Sequence, residues 1–205
     1  WVYEEEFSKA DYFDWSSNSQ YLAYVRFDES KVKEFSMDLY KGDLYPEKQS
    51  FKYPKAGEGN SIVTVNVYDL LNNKTVFTDI GDETDIYIPR IEFSNDPNTL
   101  CIQRLNRLQN KLEFLFADVK TGNSKVVYTD ESKTYVDITD DLKFVGNTGF
   151  IVSSERDEYN HLYYYDLNGK LINQITKGNW DVAEFKGFNE AKKTLYYSST
   201  ENGAI

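Results

Sequence analysis

A chain of 205 residues that is 40% hydrophobic and 16% aromatic is too rich in apolar side chains to stay disordered. It is also long enough to bury a core, and its 17 Tyr and 13 Phe favour strands. A formal net charge of −11 repels nucleic acid and anionic lipid, so neither is expected as a partner, and it favours cationic ligands such as the ammonium end of a peptide.

The first segment, "WVYEEEF", sets Glu4, Glu5 and Glu6 between Trp1 and Tyr3 on one side and Phe7 on the other. Such a run is either the solvated face of a short helix or loop, or a receptor for a positive charge. Its own residues do not choose between these. Trp1 and Tyr3 are expected to pack the segment onto the adjoining strands.

From there a period organises the chain. An aromatic residue, a short polar turn and an apolar strand recur as "WSSNSQYLAYV", "FSNDPNTLCI", "FVGNTGFIV" and "FNEAKKTLYY". The offset is seven from Trp15 to Leu22, from Phe93 to Leu100 and from Phe188 to Leu195, and the third copy is looser. A second signature, "YDLLNNKTVF", "ADVKTGNSKVVY" and "YDLNGKLINQI", closes a strand with Asp69, Asp118 or Asp166. Asn72-Asn73, Thr121-Gly122 and Asn168-Gly169 then offer the positive φ of two-residue hairpin turns. Between these landmarks side chains alternate, with Val63, Val65 and Val67 on one face and Leu112, Phe114 and Phe116 on another. No window carries a helical stripe. The repeat predicts an all-β fold, a partial β-propeller of about four blades, each a roughly four-stranded antiparallel sheet.

The first repeat is too long, and the excess from Phe27 to Pro54 predicts a projecting hairpin whose apolar residues pack on a partner. Both ends of the chain fall inside patterned sequence, as in a piece cut from something longer. Cys101, the only cysteine, excludes an internal disulfide and reads as a small buried hydrophobe. No run approaches the ~18 apolar residues of a membrane-spanning helix, and no signal peptide precedes the pattern. The acidic turns Asp82–Asp85 and Thr139–Asp141 lack calcium-loop spacing, so neither metal nor cofactor is expected. Arg104 and Arg107 read as blade-surface residues. His161, the only histidine, sits in a strand-like run and reads as structural.

Five strings in order, "WVYEEEF", "WSSNSQYLAYVRFDES", "YPKAGEGNSIV", "IQRLNRLQN" and "ITKGNWDV", give the whole chain a resemblance to the N-terminal propeller of the dipeptidyl peptidase IV family of serine peptidases. The Lys-, Asn- and Tyr-rich style is similar to bacterial members. The resemblance implies about half of an eight-bladed propeller over an α/β-hydrolase domain absent from this chain. The implied activity is removal of N-terminal X-Pro or X-Ala dipeptides by a periplasmic or extracellular enzyme. It implies that Glu5 and Glu6 bind the substrate's free α-ammonium, and that the Phe27–Pro54 arm mediates homodimerisation, with Phe35, Met37 and Tyr45 as candidate anchors. No G-x-S-x-G elbow is present, so no catalytic residue is assigned within these residues. A non-catalytic propeller that only binds is the alternative these residues leave open.

Overall fold

A computed structural model describes residues 2–203. One helix, α1 (Val2–Phe7), precedes β1 (Phe13–Trp15), β2 (Tyr21–Asp28), β3 (Glu34–Leu39), β4 (Glu47–Lys52), β5 (Ile62–Asp69) and β6 (Lys74–Phe77). Next come β7 (Ile86–Phe93), β8 (Thr99–Asn106), β9 (Lys111–Asp118), β10 (Ser124–Glu131), β11 (Lys143–Val145) and β12 (Gly149–Ser154). The last four are β13 (His161–Asp166), β14 (Leu171–Gln174), β15 (Val182–Asn189) and β16 (Thr194–Ser199). They form three four-stranded sheets, β1-β2-β5-β6, β7-β8-β9-β10 and β11-β12-β13-β14, and two two-stranded ones, β15-β16 and β3-β4. All pairings are antiparallel. The repeat is therefore a four-stranded sheet in chain order, interrupted in the first by β3 and β4, the arrangement expected of propeller blades.

The offset of seven is a cross-strand register. Trp15 faces Leu22, Phe93 faces Leu100 and Phe188 faces Leu195. The third hairpin is one residue tighter, with Phe144 opposite Phe150.

The hairpin signature also holds, but the two-residue turns do not. The loops from β5 to β6, β9 to β10 and β13 to β14 run over 70–73, 119–123 and 167–170. The reason is the aspartate. Asp69 Oδ1 accepts the Leu71 and Asn72 N–H, Asp118 Oδ1 accepts those of Lys120 and Thr121, and Asp166 Oδ1 accepts those of Asn168 and Lys170. Each carboxylate folds a wider turn around itself, as Asx turns do. The expected positive φ is present at Asn73, Gly122 and Gly169.

These turns also dock the sheets. A Cβ at Gly122 would stand 2.1 Å from the Phe77 carbonyl oxygen, and one at Gly169 would stand 1.7 Å from that of Val127. Each glycine thus seats its hairpin on the outermost strand of the preceding sheet. Both faces of a sheet are consequently covered. Along β8, Leu100, Cys101, Ile102, Gln103 and Leu105 are all buried, so burial there does not alternate. Aromatic rings fill the join between the second and third sheets: Phe150 packs on Phe116 at 5.5 Å and stacks on Tyr165 at 5.6 Å, and Tyr165 meets Tyr128 at 5.1 Å.

Antiparallel order gives the stack two unlike ends. One end carries the first-to-second and third-to-fourth strand turns. There the turn of one sheet bonds the next: Asn95 Nδ2 donates to the Gly146 carbonyl at 2.9 Å, and the Gly146 N–H donates to Glu190 Oε1 at 2.8 Å. The other end carries the second-to-third connections and the passages between sheets. In the first sheet that connection holds the β3-β4 hairpin, whose strands pair only with each other. In the second it is the turn at 107–110, and in the third the turn at 155–160.

His161 is buried in the third sheet. Its Nε2 donates to the Gly178 carbonyl at 3.0 Å, Nδ1 lies 3.1 Å from Thr176 Oγ1, and the ring meets Trp180 edge-on. Both ring nitrogens are occupied, as a structural histidine requires.

Candidate functional site

The acidic run is helical, a choice between helix and loop that the sequence pattern alone leaves open. α1 has six residues, too few to show a period. What makes it a helix is tertiary: Tyr3 and Phe7 stand four residues apart, on one face, and both are buried. Tyr3 meets Phe7 at 5.3 Å, Tyr12 at 5.2 Å, Phe27 at 4.8 Å and Tyr87 at 5.9 Å, all edge-to-face. Its hydroxyl accepts the Ile88 N–H at 3.1 Å, and burial raises the phenol's pKa well above its usual value. The helix is thus fixed to the junction of the first and second sheets, at the end of the stack that carries the second-to-third connections. Trp1, expected to help in this, lies outside the described residues.

With that face fixed, Glu4, Glu5 and Glu6 are turned to solvent. Two of them meet partners that the sequence does not suggest. Tyr53, at the foot of the hairpin, donates its hydroxyl to Glu5 Oε2 at 3.1 Å. Gln109, in the turn from β8 to β9, donates Nε2 to Glu6 Oε2 at 3.2 Å, and its Oε1 accepts the Tyr135 hydroxyl at 3.2 Å. The Tyr53 phenol is raised first by its bond to Glu5; that of Tyr135 is raised by burial, then by Asp137 and Glu6. Both glutamates are held by neutral donors, and among the described residues neither pairs with a Lys or Arg. A carboxylate offers about four acceptor positions, and among the described residues one is taken on each glutamate.

Gln109 has φ 55°, the left-handed region that costs a residue with a side chain about 1–2 kcal/mol. Its carbonyl accepts the Val136 N–H at 2.9 Å, which ties the Tyr135 segment to the turn.

The arginines of this region are not loose surface groups. Arg107 crosses from the second sheet to the hairpin's return: Nη2 donates to the Glu58 carbonyl at 3.1 Å, Nη1 pairs with Asp85 at 3.2 Å, and the guanidinium lies over the Tyr87 ring. Arg104 binds Glu113 through Nε and Nη2, at 3.1 and 2.7 Å, and donates Nη1 to the Ile80 carbonyl. Burial would raise the Glu113 carboxyl, but the bonds from Arg104 and Lys111 outweigh it and hold the pKa low. Both lie at the blade surface, half-buried, but each guanidinium finds acceptors from another strand or sheet, which strand alternation does not reveal.

On the hairpin, Phe35 is half-buried against Phe51 at 5.9 Å and Tyr53, with Lys55 over its ring. Met37 is exposed along β3, and Tyr45 is 85% exposed at the tip. Leu44, 93% exposed, and Tyr40, 70% exposed, are further apolar residues of the arm that the named anchors did not include. Their place in a strand-free stretch between two strands was the available signal.

A family profile described as the dipeptidyl peptidase IV (DPP IV) N-terminal region matches residues 1–205. The crystal structure of Porphyromonas gingivalis dipeptidyl peptidase 4 superposes with a TM-score of 0.93 at 40% identity, over 99% of this chain and 29% of that one. A second solved structure, from Bacteroides ovatus, gives a TM-score of 0.81 at 29% identity over 91% of this chain and 29% of that chain. Trichophyton rubrum dipeptidyl peptidase 4 is 26% identical over 98% of the chain and 28% of its own length. The chain thus spans under a third of these relatives. With its repeat of four-stranded sheets, it is part of a β-propeller and belongs to the dipeptidyl peptidase IV N-terminal region family.

Proposed function

We propose that this chain is the substrate-capturing part of a bacterial dipeptidyl peptidase, in which Glu5 and Glu6 bind the free α-ammonium of a peptide. The observation that carries the reading is that these adjacent carboxylates are held by neutral donors and, among the described residues, by no cation. Each already accepts one neutral hydrogen bond, which orders it, and each retains lone pairs for a cation. An α-ammonium carries one charge and three donors. Bonds of this charge-assisted kind contribute about 1.5–3 kcal/mol each.

A peptide anchored by its terminus can extend in one direction only. The distance from the anchor to a nucleophile then fixes which bond is cut, and cleavage after the second residue, with Pro or Ala there, results from a nucleophile set at that reach. The nucleophile, its base and the pocket for the second residue are to be supplied by a serine-hydrolase domain outside these residues, since His161 is occupied within its sheet. The sheets are about half of an eight-bladed ring, and the enzyme works in the periplasm or outside the cell. Its hairpin is a homodimer contact, anchored by Tyr45 and Met37 with Leu44 and Tyr40 added from their exposure, while Phe35 stiffens the arm from within.

The test is steady-state kinetics of the full-length enzyme with Glu5→Gln and Glu6→Gln on an X-Pro chromogenic substrate. Each change is expected to lower kcat/KM by about 2–4 kcal/mol, and an N-acetylated substrate should not be cleaved. Wild-type rates in both variants would overturn the assignment.

A further inference from the structure

Gln109 stands at the edge of this site, and its conformation is costly for its residue type. At φ 55° it occupies a position where Gly or Asn sits at little cost. The turn does not require glutamine for closure. The Gln109 N–H bonds the Asn106 carbonyl at 2.9 Å, and Asn106 Oδ1 accepts the N–H groups of Asn110 and Lys111, each at 3.0 Å. Glycine would close the same turn with less strain.

What glutamine adds is a side-chain amide, and both ends of that amide are used. A carboxylate only accepts, so the NH2 end must face Glu6, which leaves Oε1 for the Tyr135 hydroxyl. Rotating the amide by half a turn would set its oxygen against Glu6, so Tyr135 and Glu6 together fix one orientation.

We propose that Gln109 is a positioning residue: its amide, oriented by Tyr135, holds the Glu6 carboxylate ready for a peptide's α-ammonium, and the left-handed backbone is kept because it aims that amide. The inference rests on the ammonium-binding reading of Glu6. Its physical basis is preorganisation. Glu6 is exposed and has three rotatable side-chain bonds, whose freedom would otherwise be lost when the ligand binds. A neutral donor removes that freedom beforehand without competing for the negative charge, as Lys or Arg would.

The experiment compares full-length Gln109→Gly, Gln109→Asn, Tyr135→Phe and Glu6→Gln on an X-Pro p-nitroanilide, with thermal unfolding of the same preparations. Gln109→Gly relieves the backbone and removes the amide. It should therefore raise KM about tenfold, leave kcat within about twofold and leave Tm equal or higher. Gln109→Asn keeps an amide too short to reach both partners and should raise KM similarly. Tyr135→Phe should raise KM about threefold. In a Glu6→Gln background, Gln109→Gly should add no further loss, because the two act through one contact. An unchanged KM in Gln109→Gly beside an impaired Glu6→Gln overturns the positioning role alone. So does a Gln109→Gly loss that persists in full in the Glu6→Gln background. Wild-type behaviour of Glu6→Gln overturns the ammonium assignment and this inference with it.

Discussion

Tyr53 donates its hydroxyl to Glu5 Oε2 at 3.1 Å, so the foot of the projecting hairpin is bonded to the acidic helix. The arm and the candidate site are therefore one mechanical unit. Tyr53→Phe removes a charge-assisted bond in an exposed setting. In the full-length enzyme this should appear as a roughly fivefold fall in kcat/KM on an X-Pro substrate, with little change in Tm. Equal rates in Tyr53→Phe and wild type would show that the bond does not order Glu5.

The hairpin tip makes a separate prediction. Leu44 and Tyr45 are almost fully exposed, which is costly in water unless something covers them. If the tip is the proposed homodimer contact, Leu44→Glu combined with Tyr45→Glu should leave the full-length protein monomeric in light scattering where wild type is dimeric, with Tm of the monomer preserved. A dimer that survives both charges would remove the tip from the interface.

Glu92 predicts an unusual pH dependence. One of its carboxyl oxygens is buried without a hydrogen-bond partner. Burial, then Asp14 and Asp140, push its pKa up to about 7 against the opposing Lys143 and Lys9. The folded state keeps this proton where the unfolded chain, titrating near 4.5, gives it up. Stability is therefore lost as pH rises from about 4.5 to about 7, the reverse of the behaviour of an ion-paired carboxylate. Glu92→Gln should gain about 3 kcal/mol on wild type between pH 4 and pH 8. A gap that does not change with pH, measured by urea unfolding at the two values, would refute this.

Gly169 and Gly57 form a matched pair. Both have positive φ, +86° and +81°, but a Cβ at Gly169 meets the Val127 carbonyl at 1.7 Å and one at Gly57 meets nothing within 4 Å. Gly57→Ala should cost about 1 kcal/mol, for backbone strain alone. Gly169→Ala must also push the third sheet off β10, and about 3 kcal/mol or more is expected. Similar unfolding midpoints for the two variants would mean that the turn does not bear on the neighbouring sheet.

The sheets are legible in the sequence because their signals are local. An offset of seven is a hairpin register, and an aspartate before Asn or Gly is a turn that folds around a carboxylate. Both lie within a dozen residues of chain. The two-residue turn length is misjudged because Asp69, Asp118 and Asp166 close their loops through backbone N–H groups, a bond that leaves no trace in hydrophobic periodicity. For α1 the sequence leaves helix and loop both open, because its fixing partners, Tyr12, Phe27 and Tyr87, come from three other segments. The same holds for the site. Glu5 and Glu6 stand out by resemblance, whereas Tyr53, Gln109 and Tyr135 can be found only once the fold has brought them to the helix. Gln109 alone leaves a local trace, a bulky residue in a turn at "RLQNK".

The unlike ends of the stack imply that this protein can change length in one direction only. Where hairpin glycines rest on a neighbour's backbone and turns bond across sheets, an inserted residue would lift one layer from the next, and the displacement would pass along the ring. At the opposite end, the passage from β2 to β5 already accommodates a whole hairpin without disturbing their register from Tyr21–Asp69 to Asp28–Ile62. New recognition elements can accumulate there, next to the acidic helix, at no cost to the layers beneath. Lineages of this fold should therefore differ in loop length around the acidic helix while their far rims stay superimposable.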